Sequence, residues 1–567
     1  MNGAVRFEHP EFKRRLALLV GEKNIADVVA LCREAFAHRF SDEEASRAAQ
    51  RAWQMWRDNN PSEASLIIDD VARDDHHAIC HVRALLARFS GLTEKAEEQF
   101  RETIAKRPER SDAWSNLGLV LFDLGRPAEA MEAIAKAHEM NPQEPAFLSN
   151  LIFGADHVPW MSQSGRRNLR KRYQDIIVPN NKRFWGNYTN EKKNRQTLRV
   201  GYVSGDFRSH SAAALFGPVL MGHTKRIEWI CFSGASGTAN PIGETFRQKA
   251  NGFHDVRGMT DEALDALIRK EKIDVLVDLS GHSSENRMQL FSRKPAPVQL
   301  TAWGFPTGTG LDAMDWIFDG PERPGANHER SYQEKPWRLV AGVPIVPPRE
   351  IAPAVSPSPF LTVGDVTFGC LNGMRKLNPI TLHLFARVLN AVPNSRILFK
   401  NQNFSQPSPR KMVTDYLGEK GVVIERIGFL GATTREEHLA AFANVDICLE
   451  PIPAGGGMTL IEGLWQGVPT VALEGPSVPE RGNCEILDQC GLSSFVAKTK
   501  DEYVEIAKTK TSPTHLPALA TLRNDMRAMI DAAPAANIEK YVREVEDAYF
   551  AMFDVWAMLD GRAGGEA

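Results

Sequence analysis

Two textures of hydrophobic spacing divide the chain near residue 195. Over residues 1–160, small and apolar residues recur at helical spacing and the region reads as helices throughout. From Leu198 the apolar residues come in short unbroken runs, rich in β-branched side chains and closed by glycine or aspartate, as in buried strands. LRVGYVSGDF (198–207), IEWICFSG (227–234), IDVLVDLSG (273–281) and APVQLTAWG (296–304) are predicted strands, with DEALDALIRKEK (261–272) a helix among them. The same alternation restarts after a proline-rich stretch at 344–359: strands in VTFGC, SRILFKNQ, VVIERIGFLG, DICLE and VPTVALEG, helices in PITLHLFARVLNAVP, REEHLAAFANVD and TLIEGLWQG. Residues 515–560 are helical again. Alternating βα units predict two tandem parallel-sheet, Rossmann-like domains, which bind ligands at the carboxyl ends of their strands. The expected organisation is a helical region at 1–160, a basic linker at 161–195, α/β domains at 196–345 and 360–510, and C-terminal helices at 511–567.

Within the helical region the stretch 113–142 places Trp114, Leu117, Gly118, Gly125, Ala130, Ala137 and Pro142 at the positions of a 34-residue tetratricopeptide unit. Ala84, Gly91, Ala96 and Pro108 stand 34 residues before Gly118, Gly125, Ala130 and Pro142. Residues 11–75 read as further helix pairs that have drifted from the pattern. Solenoids of this kind offer a groove to a peptide or protein partner.

Charge and cysteine content remove several functions. The formal net charge of −3 gives no global attraction to nucleic acid or an anionic membrane, and the basic run SGRRNLRKRYQ is read as a solvated helix face. No apolar run reaches the length of a membrane span, the first residues lack a signal-peptide core, and the seven scattered cysteines form no CxxC pair. The expected location is the cytoplasm. No D-x-D triplet or Cys/His cluster offers a metal site.

Four loops carry candidate chemistry. In EPIPAGGGMT a strand runs into Gly455, Gly456 and Gly457 and then a helix beginning near Thr459, an arrangement that offers backbone N–H groups and a helix dipole to a diphosphate. The same glycines would equally let strand and helix pack. Glu462, one turn further, can accept from a sugar or ribose hydroxyl. In CLNGMRK the loop residues Asn372, Arg375 and Lys376 follow a strand, where a cation can neutralise a departing diphosphate; two solvated surface cations are the plainer alternative. Asp206 and His210 follow the first strand, and a neutral imidazole there can take a proton from an incoming hydroxyl. His282 follows another strand, and the loop Gly304–Gly310 with Pro306 is read as a further cleft wall.

The segments RVGYVSGDFRSHS, DLSGHSSENRMQLFSRKPAPVQLTAWGFPTGTG, FGCLNGMRKLNPITLHLFARVLNAVPNS, REEHLAAFANVDICLEPIPAGGGMT and GLWQGVPTVALEGPSVPERG, in this order, resemble the O-linked N-acetylglucosamine transferase and SPINDLY family and its bacterial relatives, from about residue 80 to 510. The resemblance implies a GT-B glycosyltransferase with a tetratricopeptide arm, an inverting and metal-independent transfer from a nucleotide sugar, and serine or threonine acceptors. It makes His210 the active-site histidine, Lys376 the lysine on the donor diphosphate, His438 a histidine near the donor base, Arg435 the counterpart of a family lysine, and Arg481 a donor-side arginine; His282 matches the SPINDLY glycine–histidine pair.

The chain departs from the family in its threonine loop, which reads Gly-Gly-Gly-Met-Thr with only Thr459 keeping the hydroxyl, and at Gly373, where the family has a larger polar residue. Glu462 follows the SPINDLY pattern. The expected reaction is transfer of N-acetylglucosamine from UDP-N-acetylglucosamine to a protein held by the repeats, with no cofactor. GDP-fucose, or a CMP-nonulosonic acid transferred to flagellin, are alternative donors. A catalytically degenerate repeat scaffold is the reading from another class.

Overall fold

In a computed structural model the structure describes residues 42–57, 61–71, 76–191, 195–235, 241–305, 307–322, 332–475 and 478–563. The chain forms two compact units, one taking residues up to Leu121 with Glu132–Asn141, the other Phe122–Met131 and Pro142 onward.

The first unit is helical. Helices Asp42–Arg57, Pro61–Val71, His77–Phe89 and Thr93–Lys106 precede Ser111–Asp123 and Pro127–Met140, the last two shared with the second unit. Ala84, Ala96 and Ala113 are completely buried, so small residues set the helix spacing. Gly91 turns between helices at φ +75°, and Gly125, 34 residues on, does so at φ +78°, a conformation that favours glycine. The expected pairs before residue 42 lie outside the described residues.

The second unit carries two parallel sheets. The first has strands β1 (Leu198–Ser204), β2 (Ile227–Ser233), β3 (Gly252–Asp255), β4 (Val275–Asp278), β5 (Val298–Thr301), β6 (Trp316–Asp319) and β7 (Lys335–Arg338) in the order β3-β2-β1-β4-β5-β6-β7. The second has β8 (Val366–Cys370), β9 (Ser395–Lys400), β10 (Ile427–Leu430), β11 (Ile447–Leu449), β12 (Thr470–Leu473) and β13 (Val496–Ala497) in the order β10-β9-β8-β11-β12-β13. The pairings in both are parallel. In each sheet the chain reverses direction of growth beside its first strand, between β1 and β4 and between β8 and β11. The strand termini flanking such a point splay apart and open a crevice at the carboxyl ends.

Two features depart from the expected layout. The stretch expected as a basic linker contributes the helix Gln163–Asn181. Its Arg170 is buried, holds both oxygens of Asp156 at 2.6 and 3.2 Å, and donates to the Gly308 carbonyl at 2.8 Å. A Cβ at Gly310 would lie 2.5 Å from the Arg170 Cβ, so part of the loop expected as a cleft wall is packing surface for this helix. A charge run that reads as solvated is thus paired and buried on one face.

The second departure concerns the C-terminal helices, which do not form a layer of their own. Helix Leu516–Ala532 stays with the second sheet, where its buried Arg523 donates to the carbonyls of Val445 and Phe442 at 2.7 and 3.2 Å. Helix Ile538–Ala563 crosses back to the first. Its fully buried Glu546 accepts from the Thr224 backbone N–H and hydroxyl at 2.7 and 2.9 Å, and Tyr549 meets the Tyr202 hydroxyl at 3.0 Å.

Candidate functional site

The loop after β11 and the loop after β8 meet at the switch point of the second sheet. Asn378 caps helix Pro379–Ala391, accepting from Thr381 N at 2.9 Å, and its amide donates across to the Ile452 carbonyl at 2.6 Å. The Thr381 hydroxyl makes a second tie to the same carbonyl at 2.9 Å. These bonds fix the turn Met374–Lys376 beside the glycine run, and the Lys376 ammonium donates to the Gly455 carbonyl. Burial holds that ammonium below its ordinary value, offset by the neighbouring carboxylate of Glu450.

Glu450 is buried and accepts from the Gly456 N–H and, at 2.6 Å, from the Asn483 amide. Burial raises its carboxyl above the usual range, with Lys376 the strongest opposing influence. This packing explains the glycines. A Cβ at Gly455 would fall 1.9 Å from Asn483 Nδ2, and one at Gly456 would fall 2.7 Å from Asn372 Oδ1. Gly457, at φ +48°, has open space in front of it and begins helix Met458–Trp465. The run therefore serves both readings of the sequence: two glycines for packing against Glu450, Asn483 and Asn372, and a third that leaves a helix N-terminus open with Thr459 in its first turn.

Deeper in that helix, Glu462 is a hub. Arg435 donates to Oε1, and His438 Nε2 meets Oε2 at 3.1 Å. Burial acts to raise the Glu462 carboxyl, but the bonds from His438 and Arg435 hold it below its ordinary value. Both oxygens are thus engaged by side chains rather than left for a hydroxyl, and Glu462 positions Arg435 and His438. Arg435 opens a short helix capped by Thr434 and Glu437, whose side chains each accept from the other's backbone.

On the first sheet, β1 leads through buried Asp206 to His210, which caps helix Ser211–Met221 by accepting from Ala212 N at 3.2 Å through Nδ1. Asp206 Oδ2 lies 3.4 Å from the same nitrogen. Burial lowers the His210 pKa, with Asp206 opposing and Arg208 and Arg375 reinforcing it, so the ring is neutral at pH 7. The helix it caps touches Met458–Trp465, which brings the two switch points together.

One expected site residue lies elsewhere. His282 is 2% exposed, and both ring nitrogens are used, on the Ser149 hydroxyl at 2.9 Å and the Thr309 carbonyl at 2.8 Å. Burial lowers its pKa to about 4, and it ties helix Pro145–His157 to the first sheet rather than lining a cleft. Gly281, read with it as a motif, sits at φ +54° where a Cβ would lie 2.6 Å from the Phe305 carbonyl. Arg375 donates to Asp123 Oδ1 at 3.0 Å and is thereby turned to the helical turn at 122–126. Arg481 is buried on helix Val478–Gln489 with Nη2 unbonded. Pro306 lies outside the described residues.

Sequence reasoning missed Glu450, Asn378, Thr381 and Asn483. The first follows a strand, where carboxylates face ligands, and Asn378 precedes Pro379 as a helix cap does; Thr381 and Asn483 carry no local signal, because their roles come from loops distant in sequence.

Two facing Rossmann-like domains, with a lysine and an open helix N-terminus at the switch point of the second and a capped histidine at that of the first, make up a GT-B fold. The profile of glycosyl transferase family 41 matches residues 173–340 and 360–545, and a tetratricopeptide-repeat profile matches 81–145. The chain belongs to glycosyl transferase family 41. It is similar to the probable UDP-N-acetylglucosamine–peptide N-acetylglucosaminyltransferase SPINDLY of Hordeum vulgare, 30% identical over 392 residues, which covers 68% of this chain and 41% of the relative. The Arabidopsis thaliana protein of the same name is 31% identical over 372 residues, covering 65% of this chain and 40% of the relative. The chain thus spans about two fifths of the length of these relatives. The structure of a mutant O-GlcNAc transferase from Thermobaculum terrenum superposes with a TM-score of 0.84 at 26% identity, over 92% of this chain and 100% of that one.

Proposed function

We propose that the chain transfers N-acetylglucosamine from UDP-N-acetylglucosamine to a serine or threonine hydroxyl of a protein, in one in-line displacement without a metal ion. The observation that carries this reading is the meeting of Lys376 with the Gly455–Gly457 turn, opposite the helix capped by His210. The names of the plant relatives and of the Thermobaculum enzyme support the donor and the protein acceptor. The repeats would hold the acceptor. Among the described residues the cysteines are buried and form no disulfide, and no helix is long and apolar enough to cross a membrane, in keeping with a place in the cytoplasm.

The donor diphosphate lies over Gly457 and Thr459, where the Lys376 ammonium turns from the Gly455 carbonyl to the leaving oxygen. Arg435 and His438, held by Glu462, flank the nucleoside. The acceptor oxygen attacks the anomeric carbon as the bond to the diphosphate oxygen breaks, and inversion follows from attack on the opposite face. For His210 to take the acceptor proton at Nε2, its own proton must sit on Nδ1 toward Asp206, which gives up the bond from Ala212 N. A donor phosphate oxygen is the competing proton acceptor. Intact-mass analysis of a host-cell lysate fraction incubated with the purified protein and UDP-N-acetylglucosamine tests the reaction. Additions of one N-acetylhexosamine, absent with Lys376→Met, are expected. Labelling only with GDP-fucose or a CMP-nonulosonic acid would replace the donor, and none at all would favour the scaffold.

A further inference from the structure

Lys400 ends β9, whose neighbour β8 leads to Lys376, and it lies in register with Leu430 at the end of β10. Only 5% of it is exposed, and its ammonium makes no hydrogen bond or ion pair among the described residues. The stem is buried, while the ammonium tip keeps contact with solvent and has no protein partner, so an acceptor on a ligand can take that place. Phe399 before it belongs to the core with Phe385, Phe404 and Phe429. Strand alternation therefore puts Lys400 on the opposite face with Leu398, which packs against Leu371 and Phe442. That face carries the helix of Arg435 and His438, and the carboxylates whose charge acts on the ammonium are Glu437 and Glu462. Both are committed elsewhere, Glu437 to the cap with Thr434 and Glu462 to Arg435 and His438.

The space beside it is open. A Cβ at Gly373 would meet only Asn401 Nδ2, at 3.9 Å, in the turn that directly follows Lys400. The Lys400 end of the site is thus distinct from the diphosphate end at Lys376 and Gly455 and lies where Arg435 and His438 stand. We infer that Lys400 is a donor-specificity residue whose ammonium donates to a carbonyl oxygen of the nucleobase, in the space left by Gly373. An ammonium has donors and no acceptor. Uracil, cytosine and guanine each carry a carbonyl oxygen; adenine carries an amino group and none. The inference deepens the nucleotide-sugar reading above and rests on it.

Titration calorimetry of the full-length protein with UDP, GDP, CDP and ADP tests it, in the wild type and in Lys400→Met, which keeps the stem and removes the donors. Wild type is expected to bind one of the first three at least about tenfold more tightly than ADP. Lys400→Met is expected to weaken that nucleotide about tenfold and ADP by less than about twofold. Its unliganded melting temperature is expected at or near that of wild type, because no protein hydrogen bond to the ammonium is lost. Lys400→Gln, which keeps N–H donors, is expected to retain more of the preference. Equal loss for all four nucleotides would move the ammonium to the ribose or phosphates and overturn the inference, as would an unchanged preference or a melting temperature lowered by several degrees. A wild type that binds none of the four would overturn the nucleotide-sugar reading, and the inference with it.

Discussion

Arg375 donates to Asp123 Oδ1 at 3.0 Å, so the turn that carries Lys376 is braced on the turn between two repeat helices. The same contact is packed tightly: a Cβ on Gly125 would come within 2.8 Å of the Met374 methyl and 2.6 Å of the Met412 methyl. The Arg375 cation also lies over the Phe153 ring at 5.7 Å. Arg375→Gln and Asp123→Asn are each expected to lower turnover roughly two- to fivefold, the range of a partly exposed pair. The double variant should be little worse than either, because both remove one interaction. Additive losses in a double-mutant cycle on the transfer rate would show that Arg375 acts separately.

Lys376 is half-buried at the glycine turn, and its partner in the structure is a backbone carbonyl that a phosphate oxygen can replace. Lys376→Met is expected to reduce kcat by about 10²- to 10³-fold, the scale for losing one preorganised group on developing charge. Nucleotide affinity should fall far less. Turnover within tenfold of wild type in single-turnover assays would remove Lys376 from the leaving-group role.

His210 must be neutral to accept a proton, and its burial lowers its pKa below the ordinary value of 6.5. The acid limb of the kcat/KM profile should therefore fall below pH 6.5. Asp206 favours the charged ring, so Asp206→Asn should move that limb to lower pH while slowing the reaction at neutral pH. A limb unmoved by Asp206→Asn would mean that another group titrates.

His157 and His282 are buried, and burial lowers each to about 4. Because the unfolded chain binds their protons near 6.5, the stability they allow is intact above that pH and is lost as pH falls toward 4, by about 1.4 kcal/mol per unit per histidine. Asp278, raised to about 6 by burial, works in the opposite sense: its cost is present above pH 6 and is relieved toward 3.8. The difference between wild type and His282→Gln isolates the histidine. The variant should melt lower at pH 7.5, with the gap narrowing at pH 5. A gap of constant size would show that His282 is not buried neutral.

Gly455→Ala places a methyl 1.9 Å from Asn483 Nδ2 and 2.7 Å from Glu450 Oε1. Both are held in hydrogen bonds, so neither can yield cheaply. A destabilisation of about 1–3 kcal/mol in urea unfolding and weakened nucleotide binding are expected. Gly457→Ala, which has free space but φ +48°, should instead lose by backbone strain alone.

The sequence by itself determined the two textures, the repeat period and most of the strands. Helix faces and buried strands are written in local spacing: Gly91 and Gly125 keep the same left-handed turn 34 residues apart, and β1, β2, β8 and β9 begin at or within a residue of where their apolar runs do. Short or polar strands such as Gly252–Asp255 and Lys335–Arg338 escaped because they are half-exposed edge strands, defined by pairing with a neighbour rather than by an apolar run of their own. The sequence also marked Lys376, His210 and the glycine run, since strand-end loops are recognisable.

What those residues touch was decided in three dimensions. His282 reads like His210, a histidine after a strand, yet Ser149 from a distant helix closes over it while His210 stays at the rim. Arg375 and Lys376 are adjacent in sequence and diverge, one to Asp123 and the other to Gly455. The last helix returns to the first sheet because Glu546 finds Thr224 there, 322 residues away. Such pairings depend on which surfaces meet once the sheets have formed, and no local spacing records them.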